Sequence, residues 1–255
     1  MGFFYFYTMN VKQYLDSTYL KTASQAGLSE KENTAVAKKF IKEAIEEEFK
    51  LIMIRPEIVS MAKQMVRNAN SKVLVGTVID FPEGRSGLDK KLEEARQAIE
   101  DGADDLDFVC NYEAFKQGKR DIVKSEIINC TRLGLEHRKV VKWIIEVAAL
   151  SHQEIIRISA FIKNIIFSNF KEEHYTSVFV KSSTGFFKTK GNLPNGATVE
   201  TIIMMLENAS PLPIKAAGGV RTFEEAAAMI RLGVKRIGTS GAKTISDGKV
   251  SDAAY

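Results

Sequence analysis

Cysteine, proline and histidine are scarce in this chain of 255 residues, which has 2 Cys, 5 Pro and 3 His. Cys110 and Cys130 form no CxxC pair, which excludes a disulfide scaffold and offers no zinc-site spacing. Two reduced thiols are typical of a cytoplasmic protein, and that is the location we expect. The histidines are isolated in helical or polar surroundings, where surface roles are the expectation: His137, His152 and His174.

Long apolar runs and blocks of like charge are also missing. The apolar opening, residues 1–9, is too short to span a bilayer and lacks the basic region and cleavage site of a signal peptide. Since Met9 is a second possible start, we treat residues 1–10 as an N-terminal extension. The 36 basic and 32 acidic residues give a net charge of +4 without a run of five like charges. We therefore expect no membrane or nucleic-acid partner, whereas a small anionic substrate suits this balance.

The common catalytic signatures are absent as well. The sequence has no GxSxG elbow, no GxxxxGK[ST] phosphate loop, no HExxH and no GxGxxG after a strand. These absences argue against nucleotide-dependent and zinc-hydrolase chemistry. We expect neither a cofactor nor a metal ion.

What the sequence does have is a regular alternation of short β-branched runs and amphipathic stretches. This alternation is typical of βα units. It predicts eight strands, at Tyr14–Thr18, Lys50–Ile54, Val73–Ile79, Asp105–Val109, Val140–Val147, Ser177–Lys181, Ile214–Ala217 and Arg236–Thr239.

Helix starts and ends can be read between these strands. Gly102, Gly134 and Gly233 fall near helix ends, where a positive φ would turn the chain toward the next strand. Three capping boxes, each a hydroxyl followed three residues later by Glu, predict helix starts: Ser29 with Glu32, Ser151 with Glu154 and Thr222 with Glu225.

Eight βα units can form a closed barrel or a doubly wound open sheet, and periodicity does not separate the two. A (β/α)8 barrel typically needs roughly 250 residues, so the length favours a single-domain barrel over residues 1–255. The last residues, 246–255, are small and polar, and we expect a mobile tail there.

Six charged residues interrupt the apolar strand patterns. Strands of a parallel barrel are covered on both faces, so such side chains are either paired in a buried network or line the C-terminal mouth. A structural salt bridge explains any one of them, but six on five strands indicate a shared polar centre: Asp16, Asp107, Lys142, Glu146, Lys181 and Lys215.

Lys181 ends its strand, just before Ser182, and is a candidate nucleophile. An ordinary lysine pKa of about 10.4 leaves on the order of one in a thousand or fewer neutral at pH 7. A second ammonium about 4 Å away would disfavour the charge by roughly 4 kcal/mol, or about three pKa units. Lys215, which lies on the next strand, is positioned to do this, so a Schiff-base lysine without a metal is physically reasonable.

Two glycine-containing turns follow the last two strands. Glycines there let backbone N–H groups approach an anion, and barrels of this type commonly bind phosphate after strands seven and eight. Tight turns that need glycine explain either segment alone, but their adjacent placement favours a phosphate site. The segments are Lys215–Thr222 and Ile237–Gly241.

Seven motifs, in this order on successive units, resemble the deoxyribose-phosphate aldolase family of class I aldolases. The resemblance runs from about Leu15 to Ile245. Its motifs are LDSTYLK (Leu15–Lys21), GTVIDFPEG (Gly76–Gly84), GADDLDFV (Gly102–Val109), VKWIIEV (Val141–Val147), FVKSSTGF (Phe179–Phe186), KAAGGVRT (Lys215–Thr222) and RIGTSG (Arg236–Gly241).

The resemblance implies a (β/α)8 barrel that reversibly cleaves 2-deoxy-D-ribose 5-phosphate to acetaldehyde and D-glyceraldehyde 3-phosphate, in deoxynucleoside catabolism. It implies that Lys181 forms the Schiff base, that Lys215 lowers the pKa of Lys181, and that Asp107 and Lys215 relay protons. Asp16 would orient the second lysine. The substrate phosphate would be held by Gly185, Gly218, Gly219, Gly238, Thr239 and Ser240.

The chain departs from the family pattern at three places. Met53 stands where many members have a cysteine, which matters little for lysine chemistry. The loop after Gly185, through Ala197, is longer than usual, and Lys188 and Lys190 are candidates to supply its phosphate contacts. Some relatives end in a tyrosine that enters the site, which makes Tyr255 a further catalytic candidate. The alternative is that Tyr255 belongs to a frayed chain end with no catalytic role.

Two other functions stay open at this stage. One is a Schiff-base aldolase of the same barrel type with another aldehyde acceptor, and the other is a non-catalytic barrel that binds sugar phosphates. The pair of lysines argues against the second, because a phosphate sensor has no need for it. The oligomeric state is undetermined by sequence, with a homodimer as one candidate.

Overall fold

Short strands alternate with helices along the chain, and the apolar runs that alternate in the sequence form these strands. The computed structural model describes residues 10–191 and 193–250. The strands are β1 Leu15–Tyr19, β2 Leu51–Ile54, β3 Leu74–Ile79, β4 Asp105–Val109, β5 Val140–Ile144, β6 Val178–Lys181, β7 Ile214–Ala217 and β8 Arg236–Thr239.

The strands are joined by α-helices and short 3-10 turns. The 3-10 turns are Val11–Tyr14, Pro56–Ile58, Val147–Ala149 and Glu172–Ser177. The helices are α1 Ala23–Ala26, α2 Glu30–Glu46, α3 Val59–Asn68, α4 Leu88–Glu100, α5 Tyr112–Lys116, α6 Arg120–Glu136, α7 His152–Asn169, α8 Val199–Ala209, α9 Phe223–Leu232 and α10 Ala242–Ser246.

The eight strands form one closed parallel barrel in sequence order, with β8 paired to β1. This confirms the single-domain (β/α)8 barrel and excludes the open sheet. The three capping boxes also form as expected, since Ser29, Ser151 and Thr222 each accept from the backbone N–H three residues on.

The barrel has two apolar layers. The larger core lies between the sheet and the surrounding helices. A smaller cluster of Leu20, Leu51, Met53 and Val78 forms a separate packed group. Gly76 leaves room for this cluster, since a Cβ there would come within 2.7 Å of Met53 Cε and 3.0 Å of Leu51 Cδ1. Strands β2 and β3 therefore contribute apolar side chains, whereas the charged residues described below come from the other six strands.

Two sequence predictions need correction. Strand β5 ends at Ile144 and not at Val147, because Glu146 adopts a left-handed backbone conformation that breaks the strand. Gly134 lies inside α6 and closes no turn. A Cβ there would come within 2.3 Å of Val141 Cγ2, so glycine allows α6 to pack closely on β5. Gly102 and Gly233 do have positive φ, as predicted.

Both chain ends reach beyond the described residues. Most of the proposed N-terminal extension, residues 1–9, lies outside them, as do residues 251–255 of the proposed tail. In the described part of that tail, the Lys249 N–H donates to the Thr244 carbonyl at 2.9 Å. Within the described ranges, no helix has the length and apolar character that crossing a bilayer requires.

Candidate active site

Six charged side chains form a closed ring of ion pairs inside the barrel, and we call them the ion-pair ring. Carboxylates and cations alternate around it, so its three negative and three positive charges cancel. All six side chains are buried. Around the ring the contacts are Arg236 Nε to Asp16 Oδ1 at 2.7 Å, Asp16 Oδ2 to Lys215 Nζ at 2.6 Å, Lys215 Nζ to Asp107 Oδ2 at 2.9 Å, Asp107 Oδ1 to Lys142 Nζ at 2.8 Å, Lys142 Nζ to Asp105 Oδ2 at 2.6 Å and Asp105 Oδ2 to Arg236 Nη2 at 3.1 Å.

Lys181 adds a seventh charge to this neutral ring. Its Nζ lies 2.9 Å from Asp107 Oδ2, and the residue is only 3% exposed. Burial is the main cause that lowers the pKa of Lys181, to about 8. The charge of Asp107 opposes this shift, and the charges of Lys215 and Lys142 add to it. Lys215, which we expected to cause this shift, lowers the pKa of Lys181 less than the loss of water around the amine does.

Lys215 titrates in the opposite direction, although it is equally buried. Burial favours its neutral form, yet the charges of Asp107 and Asp16 outweigh burial and raise the pKa of Lys215 above its usual value. The difference from Lys181 has a structural reason, since Lys215 contacts two carboxylates and Lys181 contacts one. Lys181 is therefore the better nucleophile, and Lys215 is the better proton donor.

Asp107 joins the two lysines electrostatically. Burial alone would raise its pKa, but Lys142, Lys181 and Lys215 surround it and hold the pKa of Asp107 well below the usual range. The carboxylate is ionised throughout the range in which Lys181 titrates. A positive charge that develops on the Lys181 nitrogen is thus balanced at 2.9 Å by a permanent anion.

Glu146 organises the loop that follows Lys181. It accepts from the Ser183 hydroxyl at 2.8 Å and from the Thr184 backbone N–H at 3.1 Å, and the Thr184 hydroxyl also donates to it. Burial raises the pKa of Glu146 above its usual value, while these hydrogen bonds work against that shift. The carboxylate therefore holds residues 183–184, the approach to Gly185, in one conformation.

The loops after β6, β7 and β8 contact one another beside Lys181. Gly185, Gly218 and Gly219 all have positive φ. Asn195 Nδ2 donates to the Gly185 carbonyl at 3.2 Å, and the Ala197 N–H donates to the Gly218 carbonyl at 2.8 Å. The long loop after Gly185 thus folds back onto the turn at Gly218.

The loop after β8 completes this arrangement. The Thr239 hydroxyl donates to the Val220 carbonyl at 3.2 Å, which joins β8 to the glycine turn. The N-terminus of α9 is already occupied, because Glu225 accepts from the backbone N–H groups of Arg221 and Thr222. These two N–H groups are therefore not available to an anion.

The chain also matches a known protein family. The model of the DeoC/LacD family of aldolases matches residues 18–245. The chain belongs to this family of aldolases. It is therefore a carbon–carbon lyase. A curated deoxyribose-phosphate aldolase of Thermococcus gammatolerans is 37% identical over 241 residues, which cover 94% of this chain and 96% of the relative.

Solved structures of aldolases have the same fold. The aldolase QR15 superposes with a TM-score of 0.76 and 32% identity, over 94% of this chain and 95% of that one. The deoxyribose phosphate aldolase of Aeropyrum pernix, whose structure is described as a unique tetramer, superposes with a TM-score of 0.73 and 25% identity. The match covers 93% of this chain and 89% of that one. The resemblance seen in the sequence motifs is confirmed.

Four of the five residues predicted to be catalytic lie together in this aldolase: Asp16, Asp107, Lys181 and Lys215. Tyr255 lies outside the described residues. Of the six predicted phosphate ligands, Gly185, Gly218, Gly219 and Ser240 lie on the three contacting loops, and Gly238 and Thr239 are the last two residues of β8. Lys188 and Lys190 are both exposed, and Lys188 lines a cleft together with Glu146 and Thr184.

Asp105 and Arg236 belong to the ion-pair ring, but the sequence analysis assigned them no role. A signal for Asp105 was available, since it stands two residues before Asp107 on the same strand and therefore points to the same face. Arg236 is the first residue of its strand, and a charged residue at that position is usually exposed to solvent. The sequence therefore gives no sign that Arg236 is buried. Only closure of the barrel brings it to Asp16, 220 positions away in sequence.

Proposed function

We propose that this aldolase reversibly cleaves 2-deoxy-D-ribose 5-phosphate to acetaldehyde and D-glyceraldehyde 3-phosphate through an imine on Lys181. The observation that carries the proposal is a buried lysine whose pKa of about 8 supplies free amine near neutral pH, beside a permanently charged carboxylate. The names of the curated relatives support the substrate.

The reaction begins when the neutral amine of Lys181 attacks the aldehyde carbon of the open-chain sugar. Lys215 remains protonated and lies against the same Asp107 oxygen, so it can donate the proton that allows the hydroxyl of the carbinolamine to leave as water. The resulting iminium is positively charged, and Asp107 balances that charge.

Cleavage follows from the electron demand of the iminium. The C3 hydroxyl gives up its proton, the C2–C3 bond breaks, and its electron pair moves to the iminium to form an enamine. C3 becomes the aldehyde of D-glyceraldehyde 3-phosphate. Protonation of the enamine at C2 and addition of water then release acetaldehyde and regenerate Lys181. In our proposal Asp107 and Lys215 relay the protons, and Asp16 orients Lys215.

The phosphate group would be held by the end of β8 and by backbone N–H groups of the three loops after β6, β7 and β8. Glycine at positive φ leaves no side chain between the backbone and the anion. The contacts between these loops support a preformed cradle, and the residues that we assign to it are Gly185, Gly218, Gly219, Gly238, Thr239 and Ser240.

The test is reductive trapping. The protein is incubated with 2-deoxy-D-ribose 5-phosphate and borohydride, and peptide mass spectrometry locates the adduct. We expect modification of Lys181 in the parent and in Lys38→Met, an exposed-lysine control, but none in Lys181→Leu. Absence of any adduct despite measurable binding of the phosphate ester would favour a non-catalytic sugar-phosphate-binding barrel.

A second assay separates the two aldolase alternatives. Trapping with acetaldehyde alone should also modify Lys181, because acetaldehyde is the product that leaves from the imine. If acetaldehyde is trapped but 2-deoxy-D-ribose 5-phosphate is not cleaved, the chain is a Schiff-base aldolase with a different acceptor. We expect cleavage, with both aldehydes released in equal amounts.

We further propose a cytoplasmic homodimer. Exposed apolar side chains on the neighbouring helices α7 and α8, including Ile156, Val199 and Ile203, support self-association. Light scattering after gel filtration tests this proposal, and a monomer at micromolar concentration would contradict it.

A further inference from the structure

The ion-pair ring includes two charged residues that make no contact with the proposed nucleophile. Arg236 contacts Asp16 and Asp105, and Asp105 contacts Arg236 and Lys142. Both are buried inside the barrel. They are separated from Lys181 by at least one other member of the ring, so neither is placed to touch a substrate imine there.

We propose that Arg236 and Asp105 are positioning residues that set the charge state of Lys181 through the neutrality of the ion-pair ring. This inference rests on the proposed function, because it assigns a consequence to the protonation of the imine-forming amine. In the intact ring three carboxylates face three cations, so no net charge of the ring balances a proton on Lys181, and Glu146, which lies outside the ring, is unchanged in every variant below.

Charged groups from five other parts of the barrel surround Lys181. Strand β1 contributes Asp16, β4 contributes Asp105 and Asp107, and the segment from β5 onward contributes Lys142 and Glu146. Lys215 comes from β7 and Arg236 from β8. The neighbouring apolar group from β2 and β3, which includes Met53 and Val78, adds no charge.

Removal of one ring member leaves a net charge that Lys181 can offset. Without Arg236 the ring has net charge −1, which favours the ammonium form of Lys181. Without the negative charge of Asp105 the ring has net charge +1, which favours the neutral amine. In a buried site with an effective dielectric near 20, one charge at roughly 10 Å shifts a pKa by about one unit.

These opposite signs distinguish electrostatics from structural support. Arg236 and Asp105 are direct partners, at 3.1 Å, so loss of either disturbs the same contact. A purely structural role would slow imine formation in both variants without moving its pH midpoint in opposite directions. Removal of both charges restores neutrality, and the double variant should then titrate like the parent even if it is less stable.

The experiment measures the rate of acetaldehyde trapping on Lys181 by cyanoborohydride between pH 6 and pH 10, for the parent and each variant under identical conditions. Arg236→Met should move the midpoint about one unit toward alkaline pH and slow trapping about tenfold at pH 7. Asp105→Asn should move the midpoint about one unit toward acid pH. The double variant should return to the midpoint of the parent.

Two further variants keep the test decisive if Arg236→Met folds poorly. Arg236→Lys keeps the charge and should keep the midpoint of the parent, whatever its rate. Arg132→Met removes an exposed arginine and should change nothing. Unshifted midpoints in both single variants, or shifts in the same direction, would overturn the inference. Absence of an imine in the parent would instead overturn the proposed function.

Discussion

Lys181 and Lys215 both lie 2.9 Å from one oxygen atom, Oδ2 of Asp107. The two amines nevertheless titrate in opposite directions, because Lys215 contacts a second carboxylate, that of Asp16, whereas Lys181 contacts only Asp107 among the described residues. In our proposal one carboxylate thus supports a nucleophile and a proton donor at the same time. The division of roles depends on the unequal numbers of neighbouring anions and not on any difference between the side chains.

The buried amine of Lys181 should cost the protein stability. We expect Lys181→Met to raise the free energy of unfolding at pH 7 by about 1–3 kcal/mol, since the pKa of Lys181 is depressed from 10.5 to about 8. Below pH 8 the amine is charged in both the folded and the unfolded state, and the full penalty applies. Above 10.5 it is neutral in both, and the penalty is gone.

The advantage of the variant should therefore shrink as the pH rises from 8 to 10.5. Urea unfolding of both proteins at several pH values measures it, and each protein is compared at the same pH so that other titrating groups cancel. A variant less stable than the parent at pH 7 would contradict the depressed pKa.

Glu146→Gln should impair substrate binding more than imine formation. The carboxylate accepts hydrogen bonds from Ser183 and Thr184 with both of its oxygens. In glutamine one of these oxygens is replaced by an NH2 group, which can only donate, so some of these hydrogen bonds would be lost. Loss of buried hydrogen bonds of this kind costs about 1–3 kcal/mol, or roughly 5- to 150-fold. We expect the KM for 2-deoxy-D-ribose 5-phosphate to rise by that factor, while trapping of acetaldehyde on Lys181 stays near the parent rate. Equal losses in both assays would place Glu146 in the chemistry itself.

Gly219→Ala tests the proposed phosphate cradle. An alanine at this φ of +86° would be strained, and its Cβ would approach the Ala197 carbonyl to 3.3 Å. We expect about a tenfold rise in the KM for the phosphorylated sugar and little change in kcat/KM for unphosphorylated 2-deoxy-D-ribose. Gly27→Ala is the matched control, because it also has positive φ, at +66°, but a Cβ there meets nothing within 4 Å. An equal loss with both sugars would remove Gly219 from the cradle.

Gly134→Ala should destabilise the fold by about 1–3 kcal/mol through a clash with Val141. The substitution Val141→Ala removes the clashing methyl groups, so the double variant should lose less stability than the sum of the two single variants. Denaturant unfolding of the four proteins measures the coupling energy. Additive losses would show that the stability lost in Gly134→Ala does not come from a contact with Val141.

Much of the fold could be predicted because it depends on local signals. The capping boxes at Ser29, Ser151 and Thr222 satisfy backbone donors within one turn, and their residue types show this directly. Strand β5 was predicted three residues too long because an apolar pattern continues through Val147, and nothing in that pattern shows the left-handed backbone at Glu146. Gly134 was misassigned because a glycine near a helix end looks the same whether it turns the chain or makes room for a strand.

The sequence by itself determined the order of the βα units, the family and the polar centre, since charged residues within apolar strands of a parallel barrel have no solvent-facing side to occupy. Tertiary structure decided which charges pair. Asp16 and Arg236 lie at opposite ends of the chain and meet only because β8 closes against β1. The pKa of Lys181 was likewise decided by closure, because burial, its main cause, exists only when all eight strands surround the amine.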